Sequence, residues 1–426
     1  MTIHPQSQKS LIIHASQLLT LAGGPQRGPN LGSLEIITDG AVLMGDGQIL
    51  DVGITNDLLP KYPDADIIDA EGCVVMPGFV DPHTHLLWSG DRAGEFTMRL
   101  QGKTYMEILK AGGGILSTVK ATRAASTEDL VAQTAIRAGV AFAHGTTTME
   151  VKTGYGLSYE SELKQLKAIL ALDTQEPLAL VPTFLPAHAV PPEYKGRTQA
   201  YVDLICDEML PALHQWWQSN ASCRPLPFVD VFCEKGAFDL AQSRQVLEKA
   251  RELDFPLKIH ADEFENLGGV TLAAELGAAS ADHLVKTSDA DIQAIGASNT
   301  VAVSLPGTPF GLNELEFTPA KKILDAGGIL ALATDINPGT SWCESMQFII
   351  ALACRKMGLT PSQAIAAATI NAAAAINCAD KVGSIEVGKD ADLLILSVED
   401  FHHLGYRFGT NLVAMVIKGG TISLVR

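Results

Sequence analysis

Two histidines one residue apart, His83 and His85, close the apolar run "VMPGFVDPHTHLLWSG" at residues 75–90. In a β-strand alternate side chains share a face, so both imidazoles point one way while Thr84 points the other. That is a ready-made metal pincer, and a pincer needs further ligands. His260 in "KIHADEF" and Asp335 in "LATDINPGT" each stand at the end of another short apolar run. Zinc and iron accept neutral imidazole and carboxylate, and a catalytic site takes three or four such ligands while keeping a position for water. Water held there has its pKa lowered from about 15.7 towards 7, so a nucleophile exists at neutral pH. Asp335, beside that water, can take and deliver its proton.

Other residues gather at the same kind of position. His188 follows a run in "FLPAHAVPPEY" and His283 ends one in "ADHL", so five of the eleven histidines fall at strand ends. One such histidine is ordinarily a satisfied polar residue at a rim; five together are a site, since buried imidazoles need partners. Glu263 lies three residues after His260. Alone in "ADEFEN" it reads as a solvated loop acid, but next to a ligand it suits protonation of a ring nitrogen as water adds to a cyclic amide or amidine. His283 would then hydrogen-bond the water or polarise the carbonyl.

Positioning this set calls for many parallel strands with a common end. From residue 77 onward, short apolar segments at 78–83, 145–151, 178–184, 228–233, 256–260, 279–284, 300–304 and 329–335 alternate with amphipathic helical patterns such as "STEDLVAQTAIRAGVAFAH" and "AQSRQVLEKARELD". Eight βα units in succession predict an α/β fold, a (β/α)8 TIM barrel with catalytic groups at the C-terminal strand ends. Residues 1–76 read instead as short strands, with Asp46–Gly47 and Glu71–Gly72 as hairpin turns, and strand texture returns after 381. The expected organisation is a barrel, 77–381, inserted into a small composite β-sandwich domain made of 1–76 and 382–426.

Composition narrows the partners. The 426 residues are 47% hydrophobic and 19% charged, with a formal charge of −17. That balance fits a globular protein and argues against nucleic acid or an anionic membrane, which need clustered Lys and Arg. A small anionic substrate then requires a specific cation, and Arg92, seven residues past His85, is placed for a bidentate grip. Seven scattered cysteines without a C-x-x-C pair read as reduced thiols. The first residues lack a signal-peptide pattern, so a cytoplasmic location is expected.

The segments "PGFVDPHTH", "KIHADE", "ADHL", "LATDINPG" and "VGSIEVGKDADLLIL" resemble the amidohydrolase superfamily. Within it, "DRAGEF", "GGGI", "TTTMEVKTGYGL" and "TFLPAHAVPPEY" are similar to the imidazolonepropionase family. The resemblance covers nearly the whole chain. It implies one zinc or iron ion per chain, a homodimer, and hydrolysis of 4-imidazolone-5-propanoate to N-formimidoyl-L-glutamate. It also raises Tyr155, His188, Asn337, Gly339 and Thr340 to substrate-binding residues, although N-P-G is by itself a turn signal. A deaminase of a heterocyclic base would use the same histidines, Glu and Asp without needing Arg92; a non-catalytic relative would have lost ligands that are all present here. Superfamily members with two metals bridge them with a Lys or Glu on the fourth strand, where Glu234 and Lys235 stand. The glycine-rich 111–115 lacks nucleotide-binding spacing and reads as a loop that moves over the substrate.

Overall fold

The computed structural model describes residues 9–103, 107 and 112–426. Ala111, the first residue of the glycine-rich stretch, falls outside them. The chain begins with β1 (Ser10–Leu19), β2 (Ile36–Gly45), β3 (Gln48–Ile54), β4 (Asp66–Asp69) and β5 (Val75–Pro77). The barrel strands follow: β6 (Phe79–Asp81), β7 (Thr146–Lys152), β8 (Ala179–Ala187), β9 (Phe228–Cys233), β10 (Lys258–Ala261), β11 (Ser280–His283), β12 (Val301–Ser304) and β13 (Ile329–Leu332). The chain closes with β14 (Leu393–Leu396), β15 (Val413–Lys418) and β16 (Thr421–Val425).

Strands β6 to β13 pair in sequence order, every pair parallel. Their residues are buried almost throughout because helices cover the outside and side chains fill the inside. Helices Thr127–Ala143 and Leu240–Glu252 lie where the amphipathic patterns place them. Ser126 and Asp239 cap them by accepting the N–H groups of Asp129 and Gln242. At the seam between the first and last strands, Asp335 N–H donates to His83 O at 3.1 Å and His85 N–H to Ile336 O at 2.9 Å. The seam is therefore drawn together at the end where the ligands sit.

The terminal strands form one continuous mixed sheet, in the order β16-β15-β14-β5-β1-β2-β3 with β4 also on β1. Its two halves share an apolar core: Ile12, Leu18, Val42 and Met44 pack with Val75, Leu393, Ile395 and Ile417. The Asp46–Gly47 turn joins β2 to β3 as an antiparallel hairpin, with φ of 52° and 81° as a type I′ turn requires. The Glu71–Gly72 turn does not make the expected hairpin. It joins β4 to β5, and both run parallel to β1, which irregularly passes His14 (φ 56°) between them. Pairing with a distant strand overrides the local turn signal there. No helix among the described residues is long and apolar enough to cross a membrane.

Candidate metal centre and active site

Strand β6 ends at Asp81, so the two pincer histidines lie just beyond it rather than within a ladder. Two things hold them extended: the backbone bonds to Asp335 and Ile336, and the Asp81 carboxylate, which accepts the N–H and hydroxyl of Thr334 at 3.1 and 2.5 Å. Both rings still turn to one centre. The His260 Nε2 lies 3.2 Å from His85 Nε2, and the Asp335 Oδ1 lies 3.4 Å from His83 Nε2 and 3.7 Å from His85 Nε2. The potential ligand atoms of His83, His85 and His260 lie within 4.8 Å of one another, as do those of His83, His283 and Asp335.

Two of these residues leave ordinary backbone geometry to arrive there. His283 has φ 83° and Asp335 φ 52°, a region costly for side chains that are not glycine. Neighbours on a regular strand point to opposite faces. At the end of β11 the left-handed turn lets the His283 ring and the Asp282 carboxylate both approach His83, with the ring centroids of His83 and His283 5.4 Å apart.

The donor set fits a divalent cation. Burial holds His83, His85 and His283 well below the usual imidazole pKa, with neighbouring charges adding to the effect, so the rings are neutral, the form that ligates. The His83 Nε2 is buried without a hydrogen-bond partner among the described residues. Lone pairs converging in a dry site repel unless a cation lies between them. Burial pushes Asp335 up to about 6, against the pull of the Thr308 hydroxyl and of nearby positive groups, and a bound cation would bring it down again.

A layer of buried charge supports the rings from below. His83 Nδ1 donates to Asp282 Oδ2 at 2.6 Å, and His260 Nδ1 lies 3.0 Å from Asp230 Oδ2. Lys152 bridges Glu150 and Asp230 at 2.7 and 2.8 Å. Burial alone would push its ammonium down, but Asp230, Glu150 and Asp282 raise it above the ordinary lysine value. The charged members of this layer, Glu150, Lys152, Asp230 and Asp282, fall in or next to the strand segments that the sequence pattern marks, but nothing in the pattern gives them a partner. The signal available was a charged residue inside a segment buried on both faces, as at Asp230 in "FVDVFC", Lys258 in "KIHA" and Asp282 in "SADH".

Above the rings opens a cavity of about 560 Å³ lined by His85, His260, Asp335, Glu263, His283, Arg92, Tyr155, His188, Asn337, Gly339 and Thr340. Burial raises the Glu263 carboxyl well above its usual range, with Asp335, Glu234 and Glu314 adding to it, and it stands 3.6 Å from His283 Nε2. A carboxyl whose pKa burial raises is suited to act as an acid. His188 donates from Nδ1 to Gly154 O at 3.0 Å and stacks on His85 at 4.7 Å, and burial pushes it down to about 3. It is therefore a neutral hydrogen-bonding group. Burial likewise keeps the Tyr155 phenol protonated, against the pull of Arg92.

Asn337 lines the cavity, yet its side chain is taken up by its own loop. Its Nδ2 donates to Asp335 O at 2.7 Å, and its Oδ1 accepts the N–H groups of Gly339 and Thr340, both at 2.8 Å. Neither candidate for a second metal reaches the centre. Glu234 accepts the backbone N–H groups of Lys235 and Phe264 at 2.8 and 2.9 Å, so it shapes the loop that carries Glu263. Lys235 pairs with Glu265 at 2.6 Å, with its side chain 70% exposed.

Residues 74–422 match the model of the amidohydrolase family. An imidazolonepropionase of Herpetosiphon aurantiacus is 52% identical over 96% of this chain and 97% of its own, and one of Symbiobacterium thermophilum is 50% identical over 97% and 96%. The fold is shared with an adenosine deaminase from Xanthomonas campestris with bound zinc (TM-score 0.70, 19% identity, 98% of this chain and 93% of that one). It is shared equally with E. coli guanine deaminase (TM-score 0.70, 14% identity, 98% and 99%). At such identities the deaminases share the fold alone, whereas the full-length relatives are close throughout, so the chain belongs to the imidazolonepropionases of the amidohydrolase family.

Proposed function

We propose that the protein hydrolyses the cyclic amide of 4-imidazolone-5-propanoate to N-formimidoyl-L-glutamate, a step of histidine degradation. The observation that carries this reading is the meeting, in one cavity, of the candidate ligands His85, His260 and Asp335 with Arg92 and with Glu263, whose carboxyl is raised by burial. A single zinc or iron ion fits His83, His85, His260 and Asp335, and when bound it supplies an acidified water and a polarised carbonyl.

The chain's own groups do the rest. Asp335 takes the proton of the attacking water. Glu263 delivers a proton to the ring nitrogen as the carbon–nitrogen bond breaks, and His283 beside it steadies the carbonyl oxygen. Arg92 holds the propionate carboxylate, and Tyr155 and His188 offer neutral hydrogen bonds around the ring. A deaminase of a heterocyclic base would leave Arg92 without a task. With this function go a cytoplasmic homodimer, no nucleic-acid partner, and a division of the chain into 77–381 and the composite 1–76 with 382–426.

The test is to follow the ultraviolet absorbance of imidazolone propionate with metal-loaded and chelator-treated protein. Loss of absorbance with the loaded protein alone is expected. Ammonia release from cytosine or guanine, with no effect on the imidazolone, would turn the reading to the deaminase.

A further inference from the structure

One ammonium in the buried layer grips His83 from two directions. Lys258, the first residue of β10, donates from Nζ to Ser280 Oγ at 2.7 Å, Pro82 O at 3.2 Å and Ala375 O at 3.3 Å. It also lies 3.6 Å from Asp282 Oδ2. Ser280 in turn donates its hydroxyl to Asp282 Oδ1 at 2.6 Å, and Asp282 Oδ2 accepts from His83 Nδ1 at 2.6 Å. Pro82 is the residue immediately before His83. Lys258 thus reaches the ring through Ser280 and Asp282, and the backbone through the Pro82 carbonyl.

A fully buried lysine is costly, and an apolar residue of similar size often serves stability as well or better. Lys258 is 0% exposed and does not line the cavity, so substrate binding does not account for it. Its three donors are all spent on named acceptors, and two of those belong to the chain of contacts that ends on His83. The ring is where precision matters: with Nδ1–H committed to Asp282, the Nε2 lone pair is the one left to face the centre.

We propose that Lys258 is a positioning residue that, through Ser280, Asp282 and the Pro82 carbonyl, sets the tautomer and aim of His83 and so the hold of this centre on a divalent cation. The proposal rests on the metal-centre reading above. Lys258 touches neither substrate nor ion; it acts by fixing Asp282 in place and holding the turn into the H-x-H segment.

The experiment measures zinc dissociation from the full-length loaded protein to a chromogenic chelator, beside the melting temperature of each metal-free variant. Lys258→Met and Asp282→Asn should each weaken zinc binding about 10–100-fold, the usual effect of losing an outer partner of a metal ligand. The double variant should be weaker than Asp282→Asn alone by less than the full effect of Lys258→Met, because the Ser280–Asp282 arm is already lost and only the Pro82 arm remains to be removed. Ser280→Ala should fold, with a modestly lower metal-free melting temperature for the lost buried hydrogen bonds, and should loosen zinc to a smaller degree than Lys258→Met. That variant carries the test if Lys258→Met does not fold, and wild-type zinc affinity in it would then overturn the proposal. So would additive losses in the double variant, or a Lys258→Met protein that melts lower yet holds zinc as the wild type does. Wild-type protein that takes up no zinc or iron would overturn the metal centre itself, a result distinct from any of these.

Discussion

Arg92 lays its Nε and Nη2 against one carboxylate oxygen of Glu95, at 3.1 and 2.9 Å. The other oxygen of Glu95 accepts the Gly114 N–H at 3.0 Å, so one side chain ties the arginine to Gly114 in the glycine-rich stretch. The Nη1 corner is left toward Gly339, where an added Cβ would stand 2.5 Å from it. The Nη1/Nη2 edge is therefore the one that Glu95 leaves uncommitted.

From this pairing, Arg92→Ala should reduce kcat/KM by roughly 10–10³ or more, since truncating one partner of a buried charge pair costs about 2–5 kcal/mol. Metal content should not change. Glu95→Gln should raise KM with little change in kcat, because it loosens the arginine without removing it. Steady-state kinetics with the acid and with its neutral amide analogue decide the matter. If wild type and Arg92→Ala discriminate equally between the two, the carboxylate is held elsewhere.

Glu263→Gln should keep the metal and lower kcat by about 10²–10⁴, the usual worth of a general acid or base. Elemental analysis and turnover of the same preparation check both halves. Near-normal turnover would return Glu263 to an ordinary loop acid.

His260→Ala should lose metal and activity together, and wild type should carry one ion per chain. Two ions per chain by elemental analysis, or full occupancy in the variant, would contradict the four-residue assignment. Lys235→Ala should leave metal content unchanged, because its largely exposed ammonium pairs with Glu265 rather than with the centre.

Metal affinity should climb with pH as Asp335, raised by burial to about 6, gives up its proton. The sign for stability is opposite in the metal-free protein. A carboxyl with a raised folded pKa binds more protons folded than unfolded between about 4, its unfolded value, and about 6, so stability falls as pH rises through that window. Chelator competition and melting temperatures at pH 5 and pH 7 measure the two trends; a melting temperature of metal-free protein that rises over this range would show that other groups dominate.

Local chemistry made much of this protein legible in its sequence. His83, His85, His260 and Asp335, which the structure brings together, could be grouped from the sequence because residue type and strand-end position are properties of short segments, and eight alternating apolar runs and helical patterns point to a barrel. The Asp46–Gly47 hairpin followed from the backbone conformation its two residues adopt at little cost. What only the tertiary structure decided is which distant groups meet. Glu71–Gly72 fails as a hairpin because β1 captures both flanking strands. Glu234 and Asn337, plausible ligands or contacts by type, accept backbone N–H groups, Glu234 from the loop at Phe264 and Asn337 from its own loop at Gly339 and Thr340. Lys258 and Asp282 acquire their meaning only where Pro82, 176 residues away from Lys258, is brought to the same floor of the barrel. A buried charge must find its partner across strands, and periodicity along one strand carries no record of its neighbours.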